Sequence, residues 1–251
     1  LITTEFLTPQ ILKATINRPE ARNAINFRVI EQLESLVDQI RDNDEIRIFL
    51  LTGEGTQSFI SGGDLKEFHS ITSQDAAVEM SKRMHELFLN IEQLPTWNVA
   101  LINGDAYGGG IELMLAFDFI LSKPDAKFGF TQGRFHLTPG WGGLTRLIEK
   151  VGRSKALEWL GKAEVHNAES MLRAQFLNAI LAGENLIDEA VTWCEPLLKN
   201  SRDYISRIKR AGWGNSGSRE ASMQNEVIPF SELWVHPEHI ARVERFMQRK
   251  K

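Results

Sequence analysis

Two glycine clusters and one acidic residue are the parts of this sequence whose types and spacing can do chemistry. Ser61-Gly62-Gly63-Asp64 and Gly108-Gly109-Gly110 each come shortly after an apolar, β-prone run, at residues 46–52 and 98–103. Taken singly, the first reads as a turn needing positive φ, and the second as close strand–helix packing. Their combination points further. Residues 108–110 lead into an apolar helix (IELMLAF), whose unsatisfied N–H groups and positive dipole end face the strand terminus. A second backbone N–H from the other loop, converging on the same point, completes a pair of donors for one oxygen. Such an oxyanion hole stabilises an enolate or a tetrahedral oxyanion by several kcal/mol. Glycine lets a substrate carbonyl come close to the backbone, and Glu112, in the first turn of the helix, is placed to reach the carbon chain attached to it.

Other chemistries lose their signatures. There is no G-x-x-x-x-G-K-S/T run, so a P-loop is not expected, and Gly53-Glu54-Gly55 lacks the third glycine of a dinucleotide fingerprint. GNSGS around Ser216 is not G-x-S-x-G and falls in a helical stretch. Among His69, His85, His136, His166, His236 and His239 only the last two are close, with no Cys or carboxylate at metal spacing. A solvated helix face is the expectation for them, and no metal. The single cysteine, Cys194, allows no internal disulfide, suits a reducing compartment and reads as a packed core residue. With 42% hydrophobic and 25% charged residues and a net charge of −4, nothing calls for nucleic acid or a membrane surface as partner. The longest apolar stretch, residues 111–121, is interrupted by Glu112 and Asp118 and is too short to span a bilayer. Residues 1–10 lack the basic flank and apolar core of a signal peptide, so a cytoplasmic location is expected, although a targeting peptide already removed would leave no trace.

Alternating strands and helices carry the clusters. Residues 12–17 read as a strand closed by Asn17-Arg18-Pro19. Val29, Ile30, Leu33, Leu36, Val37 and Ile40 recur at helical spacing after Asn26, which predicts an amphipathic helix. Residues 46–52 form a candidate buried parallel strand, followed by a polar loop (GEGTQSFISGGD) and a helix over about 73–91. Another strand, 98–103, enters the cluster GDAYGGG, and short strands at 119–122 and 127–130 precede PGWGG. This alternation, through about residue 190, predicts an α/β fold with a mainly parallel sheet. From Asp188 onward the pattern is helical: Tyr204, Ile205 and Ile208 share a face, residues 212–218 (GWGNSGS) read as a hinge or mobile loop, and a terminal helix starts at Pro237.

Five blocks, in order and at consistent spacing, resemble one known group: INRPEARNAIN (16–26), IFLLTGEGTQSFISGGDLKEF (48–68), INGDAYGGGIELMLAFDF (102–119), AKFGF (126–130) and TPGWGGLTRLIEKVGRSKALEWL (138–160). Over nearly its whole length the chain resembles the crotonase, or enoyl-CoA hydratase/isomerase, superfamily. The resemblance implies a crotonase-like β-β-α spiral over residues 1–200 and a C-terminal helical region, 201–251, that drives assembly into a homotrimer or a hexamer (a dimer of trimers). It implies an acyl-CoA thioester as partner, with coenzyme A part of the substrate and no separate cofactor. The family's oxyanion N–H groups fall on Gly63 and Gly109 and its first catalytic glutamate on Glu112. Arg22, Ala24 and Lys66 match positions that commonly contact CoA.

One departure bears on the reaction. The second hydratase glutamate lies in a family segment of the type F-G-x-P-E, and here that stretch is Phe128-Gly129-Phe130-Thr131-Gln132. Glutamine cannot titrate, so Glu112 would move the proton while Gln132 only orients. A hydratase-like lyase is the first expectation. The second is a decarboxylase of a malonyl-type (methylmalonyl or ethylmalonyl) CoA, because loss of CO2 yields the enolate without a base. In that reading Gln132, Arg134 or His136 would hold the departing carboxylate and Trp141 would shield the pocket from water. PGWGG resembles a tryptophan-bearing variant of some decarboxylase-like members, and His136 stands where the family commonly has glycine. A third reading is a catalytically weak acyl-CoA-binding protein of the same fold.

Overall fold

The computed structural model describes residues 1–212 and 216–248. β1 (Ile2–Thr8) and β2 (Ile11–Ile16) form an antiparallel hairpin. α1 (Phe27–Asp42) crosses over to β3 (Ile48–Gly53), which lies parallel to β2. The Asn26 side chain caps α1 by accepting from Val29 N at 2.9 Å, and the six apolar residues at helical spacing are its buried face. Next come β4 (Ser58–Ile60), α2 (Leu65–Phe68) and α3 (Gln74–Glu92), then β5 (Trp97–Ile102), β6 (Asp105–Tyr107) and α4 (Gly109–Met114). β7 (Phe119–Ser122) and β8 (Lys127–Gly129) follow, and after a 3-10 turn at Thr131–Phe135 come α5 (Gly143–Val151) and α6 (Arg153–Lys162). The remainder is β9 (Val165–Asn167), α7 (Ala168–Arg173), β10 (Ala179–Ile180), α8 (Leu186–Cys194), α9 (Arg202–Gly212), α10 (Ser216–Trp234) and α11 (Pro237–Gln248).

Six strands make one sheet, in the order β1-β2-β3-β5-β7-β10, and four three-residue strands a second, β4-β6-β8-β9. β3, β5 and β7 are each followed by a short strand of the second sheet, which is the β-β-α spiral. Side-chain alternation divides the core. Phe49, Leu51, Ala100 and Ile102 join the larger apolar cluster on one face; Ile48, Leu50, Val99 and Leu101 join the smaller one on the other. Burial on both faces explains why these strands read as unbroken apolar runs. β4 and β6, three residues each, were hidden in the polar loop and the glycine cluster because so short a segment shows no period. Mostly exposed β1 showed none either.

The C-terminal helices fold back on the core: α10 packs against α3 and α5, and α11 against the turn at 131–135. Within the stretch expected to be a hinge, residues 213–215 lie outside the described residues, while Gly212 ends α9 and Ser216 begins α10. His239 is a correction to the expected solvated face. It is buried, its Nδ1 lies 2.7 Å from Phe135 O and its ring 5.1 Å from Trp234, because α11 docks on the 131–135 turn. Cys194 is buried and its thiol pushed up to about 12, which leaves no thiolate for nucleophilic work. Among the described residues no helix is long and apolar enough to cross a membrane.

α4 lies close against β4 because Gly110 has no side chain: a Cβ there would collide with the Ile60 carbonyl oxygen and stand 2.9 Å from Ile60 Cβ. Gly110→Ala is expected to lower the unfolding free energy by about 1–3 kcal/mol through overpacking. Urea denaturation checks it, and an unchanged midpoint would contradict this close approach.

Candidate active site

Positive φ at Arg22 and Asn23 (53° and 55°) turns the chain so that residues 22–25 run beside residues 61–64. Ser61 N donates to Arg22 O, Ile25 N to Gly62 O and Asp64 N to Ile25 O, at 2.8–3.1 Å. In this parallel bridge Ile25 is bonded on both sides of Gly63, so Gly63 turns its own N–H and C=O the opposite way. Arg18 reinforces the corner, donating to Ala24 O at 2.6 Å and to Asp64 at 3.0 Å, while Asp64 caps α2. Arg22, buried Ala24 and largely exposed Lys66 are thereby gathered around Gly63.

The second glycine cluster reaches the same place through β6. Gly108, at φ +49°, donates to Gly129 O at 3.0 Å and turns the chain into α4. Gly109 is the first residue of α4, so its N–H has no acceptor within the helix. A Cβ on Gly62 would lie 3.7 Å from Gly109 N, so the two loops adjoin. Both are covered by the six-membered edge of Trp141: its Cη2 would lie 3.4 Å from a Cβ on Gly63 and 2.7 Å from one on Gly109. Trp141 is buried edge-on between Phe68 and Phe88, with ring centroids 6.4 and 6.2 Å away. Phe68 also lines an apolar cavity of ≈ 100 Å³ with Leu65, Ile71, Trp234 and Val243.

Glu112 projects from the first turn of α4 and is buried. Its Oε2 accepts from Trp141 N (2.9 Å) and Gly143 N (3.2 Å), and its Oε1 from Gln132 Nε2 (3.2 Å). Burial pushes the carboxyl up to about 7 and the neighbouring Glu226 adds to this, against the pull of the hydrogen bonds. A carboxyl poised near neutrality can both take and return a proton. Gln132 Oε1 and Trp141 Nε1 are buried without a partner among the described residues. Arg134 and His136 are engaged elsewhere: Arg134 Nε donates to Ala163 O at 2.9 Å, and the His136 ring stacks on His236 at 4.8 Å.

Sequence reading did not find Glu226 or the charged layer behind the site. From α10, Glu226 accepts from Thr145 N (2.7 Å), Thr145 Oγ1 (2.6 Å) and Leu144 N (3.1 Å), with burial raising its own pKa. Arg146 and Arg219 both chelate Glu92; burial pushes Glu92 up, but the two guanidinium groups outweigh it and keep it ionised. His85, buried beside Gly142, is pushed down to about 4 by burial and then by Arg146, so it is neutral at pH 7. No local pattern marks these residues, since their partners lie 50–130 positions away. Among the described residues no three His, Cys, Asp or Glu side chains form a cluster able to hold a metal ion.

Known proteins resemble the chain throughout its length. The model of the family described as enoyl-CoA hydratase/isomerase matches residues 8–227. A crotonyl-CoA hydratase of Syntrophomonas wolfei is 28% identical over 239 residues, 94% of this chain and 91% of that protein. An enoyl-CoA hydratase structure from Bacillus anthracis superposes with a TM-score of 0.81 at 25% identity, covering 99% of this chain and 96% of the other. One from Bacillus halodurans reaches 0.89 at 23% identity, covering 97% and 99%, and speaks for the fold.

The raised Glu112 pKa sets a direction for stability against pH. The folded state holds this proton more tightly than the unfolded state, so the contribution is present below the unfolded value near 4.5 and is lost as pH rises to about 7. Glu112→Gln should therefore gain stability relative to wild type across that window, by about 3 kcal/mol at most. Urea denaturation at pH 4.5, 5.5, 6.5 and 7.5 checks this, and a constant difference would contradict it.

Proposed function

The chain belongs to the enoyl-CoA hydratase/isomerase family, and from that premise we propose that this enzyme adds water reversibly across a short 2-enoyl-CoA, with Glu112 moving the proton. The observation that carries the reading is the pair Glu112 and Gln132. A buried carboxyl with a pKa of about 7 stands 3.2 Å from an amide whose oxygen has no partner among the described residues. A water held between Glu112 Oε1 and Gln132 Oε1 satisfies both. Ionised Glu112 takes a proton from that water as its oxygen bonds to C3 of the enoyl group. The electron pair shifts onto the thioester oxygen, which the Gly63 and Gly109 N–H groups stabilise as an enolate. Glu112 then returns the proton to C2, and the carbonyl re-forms. One titrating group serves both steps, with Gln132 holding the water.

Trp141, laid across Gly63 and Gly109, fills space beside the two N–H groups, which supports a short acyl group. The crotonyl-CoA named for the Syntrophomonas relative is of that kind. In this reading Arg22, Ala24 and Lys66, near Gly63 in the chain's turn, contact the CoA portion. For decarboxylation of a malonyl-type CoA, the Nε of Arg134 is already bonded to Ala163 O and the His136 ring packs against His236. Apolar Leu157, Val165 and Leu172 are exposed on α6, β9 and α7, which supports a trimer or hexamer as the assembly.

Crotonyl-CoA should lose its conjugated-thioester absorbance in the presence of the protein. Glu112→Gln should slow this by about 10²–10⁴-fold, and Gln132→Glu should speed it. CO2 release from malonyl-type CoAs without hydration would replace this reading by decarboxylation; tight thioester binding without turnover would replace it by a binding role. Trp141→Leu should raise kcat/KM for an eight-carbon enoyl-CoA relative to crotonyl-CoA by about tenfold or more. An unchanged ratio would remove Trp141 as the limit on acyl size.

A further inference from the structure

The N-terminus of α5 is held by two buried carboxylates from distant segments of the chain. Glu112, on α4, takes the N–H groups of Trp141 and Gly143; Glu226, on α10, takes those of Leu144 and Thr145 together with the Thr145 hydroxyl. Adjacent N–H groups, on Gly143 and Leu144, thus carry different carboxylates. The positive end of the helix dipole favours one negative charge here, whereas two like charges shielded from water oppose each other's ionisation. The surroundings leave that opposition in place. From α5, Arg146 is held by Glu92 of α3 and lowers the pKa of Glu226; from α3, His85 is neutral; from the 131–135 turn, Gln132 does not titrate. The family's second-glutamate position holds Gln132, yet a second carboxylate, from α10, shares the α5 N-terminus with Glu112.

We propose that Glu226 is a positioning residue for Glu112: it holds the other half of the same helix terminus, and its carboxylate sets how readily Glu112 takes up and returns the proton. The pair then titrates as a unit. This rests on Glu112 being the proton-transfer group of the proposed hydration. It also ties that group to the docking of α10, so the C-terminal helices contribute to the site of their own chain.

The test is a carbon-13 NMR titration of the Glu112 carboxyl, which needs no substrate, in wild type, Glu226→Gln and Thr145→Val. Removing the Glu226 charge should move the Glu112 midpoint to lower pH by about half a unit or more. Thr145→Val, which keeps side-chain shape and withdraws one donor from Glu226, should move it the same way by less. It serves as the readout if Glu226→Gln does not fold. In the hydration assay, the pH limb that disappears in Glu112→Gln should move down in parallel. A helix cap with no electrostatic role would lower stability and leave the midpoint in place; an unmoved or raised midpoint overturns the proposal. If the midpoint falls but the wild type hydrates no enoyl-CoA, the coupling stands and the hydration reading fails.

Discussion

A carboxylate removed from water persists only where hydrogen bonds replace the solvent, and for Glu112 the replacement is the backbone of residues 141–143. Several features follow from this one requirement. Residue 143 must be glycine, since a Cβ there would stand 2.5 Å from Glu112 Oε2. α5 must begin where α4 ends its first turn, and the PGWGG segment must pass between them. The indole of Trp141 is consequently laid across Gly63 and Gly109 by the same short stretch whose N–H groups hold the carboxylate. One segment of chain therefore both holds the carboxylate and shapes the pocket.

The spiral supplies the rest of the geometry. β3, β5 and β7 each carry the chain into a short strand of the second sheet, and the glycine loops emerge after two of these: residues 61–64 after β4, residues 108–110 after β6. The sheet register fixes both loops and brings the two glycine turns side by side. The layer behind is ionic. Arg146 and Arg219 both chelate Glu92, and Arg146 also donates to the Trp141 and Gly142 carbonyls, tying α3, α5 and α10 to the turn that carries Trp141. A buried pair of this kind is costly to break on one side, because it leaves an uncompensated charge.

Much of this was legible in the sequence. The α1 core face was read residue for residue, and the strands around β3, β5 and β7 were placed within a residue or two, because helical spacing and unbroken apolar runs are local records of burial. The two glycine clusters stood out because a strand-to-helix turn leaves its mark in glycine spacing, and the family resemblance singled out Gly63, Gly109 and Glu112 among their residues. The loss of a titrating group at Gln132 was equally plain, since residue type alone decides whether a side chain can exchange a proton.

Tertiary structure decided how those parts work together. That Trp141 covers both glycines, that His136 turns to His236, and that His239 is buried all depend on where the 131–143 segment and α11 come to rest. Glu226 is the sharpest case. As a residue in a polar helix it has no signature, and its partners at Leu144 and Thr145 lie some 80 positions earlier. Sequence alone determined which groups can donate, accept or titrate, because those are properties of residue type and local spacing. The fold determined which of them meet, and with what proton affinity, because burial and charge coupling are properties of distance in space.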